Sequence, residues 1–210
     1  MDVLGFATLA VGGFTACAEF GSYAFVHPVI RRLPPEYHLQ VEQGLLRTFG
    51  RVMPAAMTLT VALAIAEAVQ ACFGRFEAHL AQAELGAPDP FEALRRRCRA
   101  YVGFGISEPE LYRAMFGAWS AGPKALGTYG RRPHPGAGSF TALVALIQRC
   151  LDAGAQTRQP SGFLAFQLWS LLHGLTDLRS GKPELPWPDA EAMIDHYLVC
   201  VGLRAIRQRR

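Results

Sequence analysis

The 210 residues suffice for one large or two small domains, and half of them are apolar while only 18% are charged. The net charge of +4 rests almost wholly on arginine, with lysine only at Lys124 and Lys182. That balance reads as the bias of a GC-rich genome and excludes a strongly basic nucleic-acid-binding chain. The five cysteines (Cys17, Cys72, Cys98, Cys150 and Cys200) are scattered, odd in number and without a Cys-x-x-Cys pair. They exclude a disulfide framework and a zinc site, and are expected to be buried, reduced thiols.

Residues 3–30 carry one formal charge, Glu19, together with His27, and are long enough to span a bilayer. They lack the basic start and small-residue cleavage site of a signal peptide. Gly12, Gly13, Gly21 and Ser22 would let a second helix pack closely in a membrane. Glu19 is either an intramembrane functional group or a polar contact between paired helices. Residues 31–51 form a polar connector in which Pro34-Pro35 stops the first helix and Glu36–Phe49 can make a short amphipathic surface helix. Residues 52–73 are a second apolar run, whose charge-free part, Val52–Ala66, is short for a span. Arg31, Arg32, Arg47 and Arg51 would place the intervening loop in the cytoplasm, whereas Arg75, Arg95–Arg97 and Arg99 favour the opposite orientation.

Within residues 14–66, Glu19-Phe20, Phe25-Val26-His27-Pro28, Arg31-Arg32-Leu33-Pro34-Pro35 and Gly50-Arg51-Val52-Met53-Pro54 resemble the first half of the anthrone-oxygenase-like small membrane proteins. That resemblance implies a membrane helical hairpin over residues 1–72, two of the family's four transmembrane helices.

From Phe73 the pattern changes. Phe73, Phe76 and Leu80 form one face of a helix ending near Leu85. Asp89, Pro90 and Glu92 have the pattern of a capping box opening a helix over Phe91–Phe104, with Phe91, Leu94, Cys98, Tyr101, Val102 and Gly105 in a stripe. Arg95, Arg96, Arg97 and Arg99 fall mainly on its other side and read as a solvated face. Ser107 and Glu110 form a second such box, before Leu111–Trp119. Residues 120–139, rich in glycine and proline and including Arg131, Arg132 and His134, read as a loop. Phe140–Leu151 is amphipathic, with Phe140, Leu143, Val144, Ile147 and Leu151 inward. The stretch 163–179 is apolar on more than one face, so it must be covered on several sides. The helix-interior Gly174 costs roughly 1 kcal/mol relative to Ala and suggests a close approach there. The connector 181–188 and a last helix, 190–206, complete the chain. With no segment of strand period, the fold class is all-α.

Phe91-Glu92-Ala93-Leu94-Arg95, Tyr101-Val102, Ser107–Phe116 and Trp169-Ser170-Leu171-Leu172-His173-Gly174-Leu175 resemble the C-terminal, ligand-sensing and dimerising domain of the tetracycline-repressor (TetR) family. The last carries the Trp…His-Gly signature of one subgroup. The resemblance covers about residues 73–206 and implies a helical bundle over 73–210, a small apolar effector and a homodimer through helices 163–179 and 190–206. The family's helix-turn-helix residues have no counterpart before Phe73, so direct DNA binding by this chain alone is not expected. Tyr101, Phe104, Tyr112, Met115, Phe116, Trp119, Leu143, Ile147, Phe166, Trp169 and His173 are the candidate ligand-binding residues, aromatic and apolar surface with a few polar tips.

No catalytic, metal or cofactor site is expected. HExxH, Gly-x-Ser-x-Gly and phosphate-loop patterns are absent, and Ser170, His173 and Asp177 share one helix as a polar line. The expected location is membrane-associated through residues 3–30 and 52–73 with 73–210 in the cytoplasm, or else wholly cytoplasmic. The competing readings are a membrane enzyme or transporter fragment built on Glu19 and His27, and a gene fusion without function.

Overall fold

The computed structural model describes residues 3–120 and 136–204, the backbone alone at 118–120. The loop residues Arg131, Arg132 and His134, and the end of the expected last helix at 205–206, lie outside the described residues. The fold is all-α: α1 (Val3–Gly21), a π-helical segment (Ser22–Val26), α2 (His27–Ile30), α3 (Pro35–Glu84), α4 (Pro90–Ser107), α5 (Pro109–Ser120), α6 (Ala137–Asp152), α7 (Ser161–Gly181) and α8 (Ala190–Cys200). Among the described residues there is no strand. The chain divides into two compact units, Met1–Gln70 and Ala71–Arg210.

In the first unit, α1 meets α3 through small side chains. A Cβ on Gly12 would rest 3.5 Å from the Thr60 methyl, and the Thr15 and Thr60 hydroxyls lie 3.5 Å apart. Each hydroxyl also donates to the carbonyl four residues earlier, which satisfies it without water. Gly13 and Gly21 meet nothing. The π-helical turn stands just before Pro28, whose ring and missing N–H disturb the preceding turn. The expected separate helices at 36–49, 52–73 and 73–85 are one continuous helix, α3. Between Pro35 and Glu84 no glycine–proline cluster stops it, and Pro54 is accommodated inside it. Val3–Ile30 and Pro35–Glu84 each contain a stretch long and apolar enough to cross a membrane, and those stretches are 11% and 0% buried.

In the second unit α4 is the central helix. It packs against α5, α6, α7 and α8, and Phe76 of α3 sets its ring against both Tyr101 and Phe104 at 5.1 Å. Asp89 caps α4 by accepting from the Glu92 N–H at 2.8 Å, but Glu92 turns its carboxylate to Arg95 and Arg96 and leaves the box half made. The second box does not form. Ser107 donates back to the Phe104 carbonyl and closes α4. The arginine face is no free solvated surface. Arg95 and Arg99 pair with Asp195 of α8, and Arg99 also with Glu191, clasping α4 to α8. Arg97 is 5% exposed and holds Glu84 and the Ser139 carbonyl.

The cysteines split. Cys98 and Cys150 are buried, while Cys17 and Cys200 are exposed, which corrects the expectation that all five are interior. The last helix stops at Cys200 because Gly202 takes a left-handed conformation (φ +77°), letting Leu203 donate to the Leu198 carbonyl at 2.8 Å. The backbone of Gln156 then bonds Gly202 at 2.8 Å.

Helix α7 does not occupy the centre. Phe163 and Phe166 are 50% and 58% exposed. A Cβ on its Gly174 would meet nothing within 4 Å among the described residues, so no close approach among them explains it. The close approach lies on α4: a Cβ on Gly105 would sit 2.1 Å from the Thr176 methyl. Thr176 is fully buried and donates to the Leu172 carbonyl at 2.7 Å. Gly105→Ala is expected to cost about 1–3 kcal/mol by overpacking, and Thr176→Ser, which removes only the colliding methyl, to restore part of it. Urea unfolding of the two single variants and the double variant checks this coupling.

Candidate functional site: an aromatic cavity with a tyrosine–histidine network

A cavity of about 490 Å³ opens in the second unit, walled by α3, α4, α5, α6 and α7. Phe73, Phe76 and Leu80 contribute from α3, because their helical spacing puts them on one face. Phe116 comes from α5, Ser139, Phe140 and Leu143 from α6, and Phe166, Trp169, Leu172 and His173 from α7. Tyr101 and Arg97, one helical turn apart on α4, complete the wall. The rings pack at angles to one another, Phe73–Phe116 and Phe116–His173 edge to face and Phe140–Phe166 tilted. Phe73 and Phe116 have centroids 5.4 Å apart, Phe140 and Phe166 4.7 Å, and Phe116 and His173 4.9 Å.

Of the candidate residues, Tyr101, Phe116, Leu143, Phe166, Trp169 and His173 line this space. Phe104, Met115 and Ile147 do not. They are buried in the core, where their neighbours surround them and no face is left for a cavity. Tyr112 stands behind the wall, joined to two lining residues by hydrogen bonds. The side chain of Trp119 lies outside the described residues. Sequence reasoning missed Phe73, Phe76, Leu80, Arg97, Ser139, Phe140 and Leu172 as lining. The three α3 residues and Phe140 carried a signal in their helical register. Arg97 carried one too, because it lies a turn from both Leu94 and Tyr101 and thus shares their stripe.

The polar part of the site is a compact network. The Tyr112 hydroxyl lies 2.6 Å from His173 Nδ1, and the Tyr101 hydroxyl lies 3.1 Å from that of Tyr112 and 3.4 Å from Nδ1. Burial pushes the Tyr101 phenol up to about 12 and raises that of Tyr112 further, so both keep their protons. Burial lowers the His173 pKa from its ordinary 6.5, opposed by the nearby Asp177 carboxylate. Arg97, the charged group on the wall, is paired with Glu84, which also lies 3.6 Å from Arg149. The Ser139 hydroxyl is buried and has no hydrogen-bond partner among the described residues. Ser170 donates to the Phe166 carbonyl of its own helix. Among the described residues no three metal-binding side chains come together.

The comparison with protein families places this all-α bundle. The profile described as tetracyclin repressor-like, C-terminal domain matches residues 94–201, more than half of the chain. The chain belongs to that family. No curated protein matches it, and no solved structure does.

Two outcomes test this geometry. The unfolded chain takes up a proton on His173 near the ordinary value while the folded protein resists it. Stability contributed by the neutral ring is therefore complete above about pH 6.5 and is lost as pH falls below it toward the depressed folded value. Thermal unfolding between pH 7.5 and 5 should show this loss, and His173→Phe should flatten it. Arg97→Met leaves Glu84 with the more exposed Arg149 as its remaining ion pair and is expected to cost on the order of 2–3 kcal/mol in urea unfolding. Arg113→Met, at an exposed ion pair with Glu110, should cost under about 1 kcal/mol.

Proposed function

We propose that residues 73–210 are an effector-sensing, dimerising domain of a TetR-type regulator, and that the cavity takes a small apolar ligand. The observation that carries this reading is the space of about 490 Å³ walled by aromatic and aliphatic side chains, a size and lining typical of small-molecule pockets. The candidate binding residues are Tyr101, Phe116, Leu143, Phe166, Trp169 and His173, with Phe104, Tyr112, Met115, Trp119 and Ile147 supporting them. The exposed Phe163, Phe166 and Leu178 on α7 and Val199 on α8 supply an apolar face for a second copy, giving an isologous four-helix interface. Lacking a recognisable helix-turn-helix, the domain acts on genes through a DNA-binding partner subunit rather than as an enzyme. Residues 1–72 tether it to a membrane through residues 3–30 and 52–73, with apolar side chains such as Phe6, Leu9, Phe14 and Phe20 facing lipid.

The test is binding of N-phenyl-1-naphthylamine, a neutral apolar fluorophore, to the full chain. Fluorescence enhancement is expected, together with at least a tenfold loss of affinity in Leu143→Trp, which fills the cavity, while the helical circular dichroism is retained. Unchanged binding in that variant would place the ligand elsewhere.

A second reading rests on a smaller cavity of about 250 Å³ in the first unit, lined by Glu19, Ser22, Tyr23, His27, Phe49 and Met53 beside the π-helical turn. Such turns occur often at functional sites, and this one supports the anthrone-oxygenase-like membrane enzyme or transporter fragment. Loss of a membrane activity on Glu19→Ala, unaffected by deletion of residues 90–210, would favour it.

A further inference from the structure

We propose that the ligand of the aromatic cavity is an uncharged ring compound bearing one oxygen function, a ketone or a hydroxyl, held at the Tyr101–Tyr112–His173 network. The inference rests on reading that cavity as a ligand pocket and adds the ligand's chemical class.

The reasoning is a proton count. A neutral imidazole carries one N–H, and the two phenols carry one O–H each. Two internal links, Tyr101 to Tyr112 at 3.1 Å and Tyr112 to His173 Nδ1 at 2.6 Å, use two of the three protons. If Nδ1 is the acceptor, Tyr112 donates to it and Tyr101 donates to Tyr112, so the spare proton is on His173 Nε2. If Nδ1 carries the proton, the chain runs the other way and the spare donor is the Tyr101 hydroxyl. In both states one donor is left over, at one end of the network or the other, while the Tyr101 oxygen also accepts from the Trp169 side chain. Those ends belong to Tyr101 and His173, both of which line the cavity. Among the described residues Nε2 has no hydrogen-bond partner. An apolar ligand would bury that donor unsatisfied, and a ligand with one neutral oxygen satisfies it.

Charge is disfavoured in the same space. Arg97 already holds Glu84 and the Ser139 carbonyl. The Ser139 hydroxyl has no exposed surface to offer. The remaining wall is aromatic and aliphatic. A carboxylate entering it would lose its hydration and find no free cation in return.

Equilibrium dialysis of the full chain against fluorene, fluorenone and fluorene-9-carboxylate tests the class, since the three share a ring system and differ in the oxygen function. Fluorenone is expected to bind roughly five- to tenfold tighter than fluorene, the size of one neutral hydrogen bond, and the carboxylate weakest. The double variant Tyr101→Phe/His173→Phe should bring fluorenone and fluorene within twofold of each other, and Tyr112→Phe should shrink the preference. Equal affinity for fluorene and fluorenone in the unaltered protein, or tightest binding of the carboxylate, overturns the inference and leaves the pocket reading standing. A fluorenone preference that survives the double variant Tyr101→Phe/His173→Phe overturns the assignment to the network. Failure of all three compounds to bind overturns the pocket reading and this inference with it.

Discussion

The architecture of the second unit depends on how closely α4 and α7 approach. At Gly105 the absence of a side chain lets the Thr176 methyl lie where a Cβ would otherwise stand. One turn before Gly105 is Tyr101, and one turn before Thr176 are Leu172 and His173. The contact that joins the helices therefore also brings a phenol and an imidazole to hydrogen-bonding distance. Tyr112 enters the same cluster because α5 begins directly after α4, with Glu108 accepting from its backbone N–H. A wider spacing would separate the polar groups and leave buried hydroxyls unsatisfied, which costs more than the bonds contribute when made.

Charge is handled so that the cavity stays apolar. Four arginines lie within one stretch of α4, yet each is committed to an acidic partner on its own or a neighbouring helix. Arg95 and Arg99 reach across to α8 and fix its register. Arg97, the buried member, neutralises Glu84 at the end of α3 and holds the first turn of α6. A stretch that looks basic in one dimension is neutral in three. The same neutralisation sets the character of the cavity: uncharged in sum, aromatic, with its hydrogen-bonding capacity concentrated at one point.

The two units expose apolar surface in different ways. In the first, large side chains such as Phe6, Leu9, Phe14 and Phe25 stand outward around the helices, while threonine hydroxyls and glycines occupy the inner contact. That is the reverse of the arrangement water favours. In the second, exposed apolar groups include Phe163, Phe166 and Leu178 of α7 and Val199 of α8, while the larger side chains of α4 and α6 are mostly buried.

Helical period and punctuation alone determined the all-α class, the start of α4 at Asp89, and the inward faces of α3, α4 and α6. These follow from local backbone chemistry and from which side chains avoid water. The Trp169…His173-Gly174 signature and its neighbours were sufficient to name the family. What only the tertiary structure decided is which buried residues border empty space and which border one another. Tyr101 lines the cavity while Phe104, three residues on, packs solidly into the core, and helical spacing treats the two alike. Likewise Gly105, not Gly174, is the glycine that a crossing helix requires, because that need depends on the chain that arrives opposite. Arg97 became an interior residue for the same reason: its fate was set by Glu84, which is distant in sequence and adjacent only once α3 and α4 have packed.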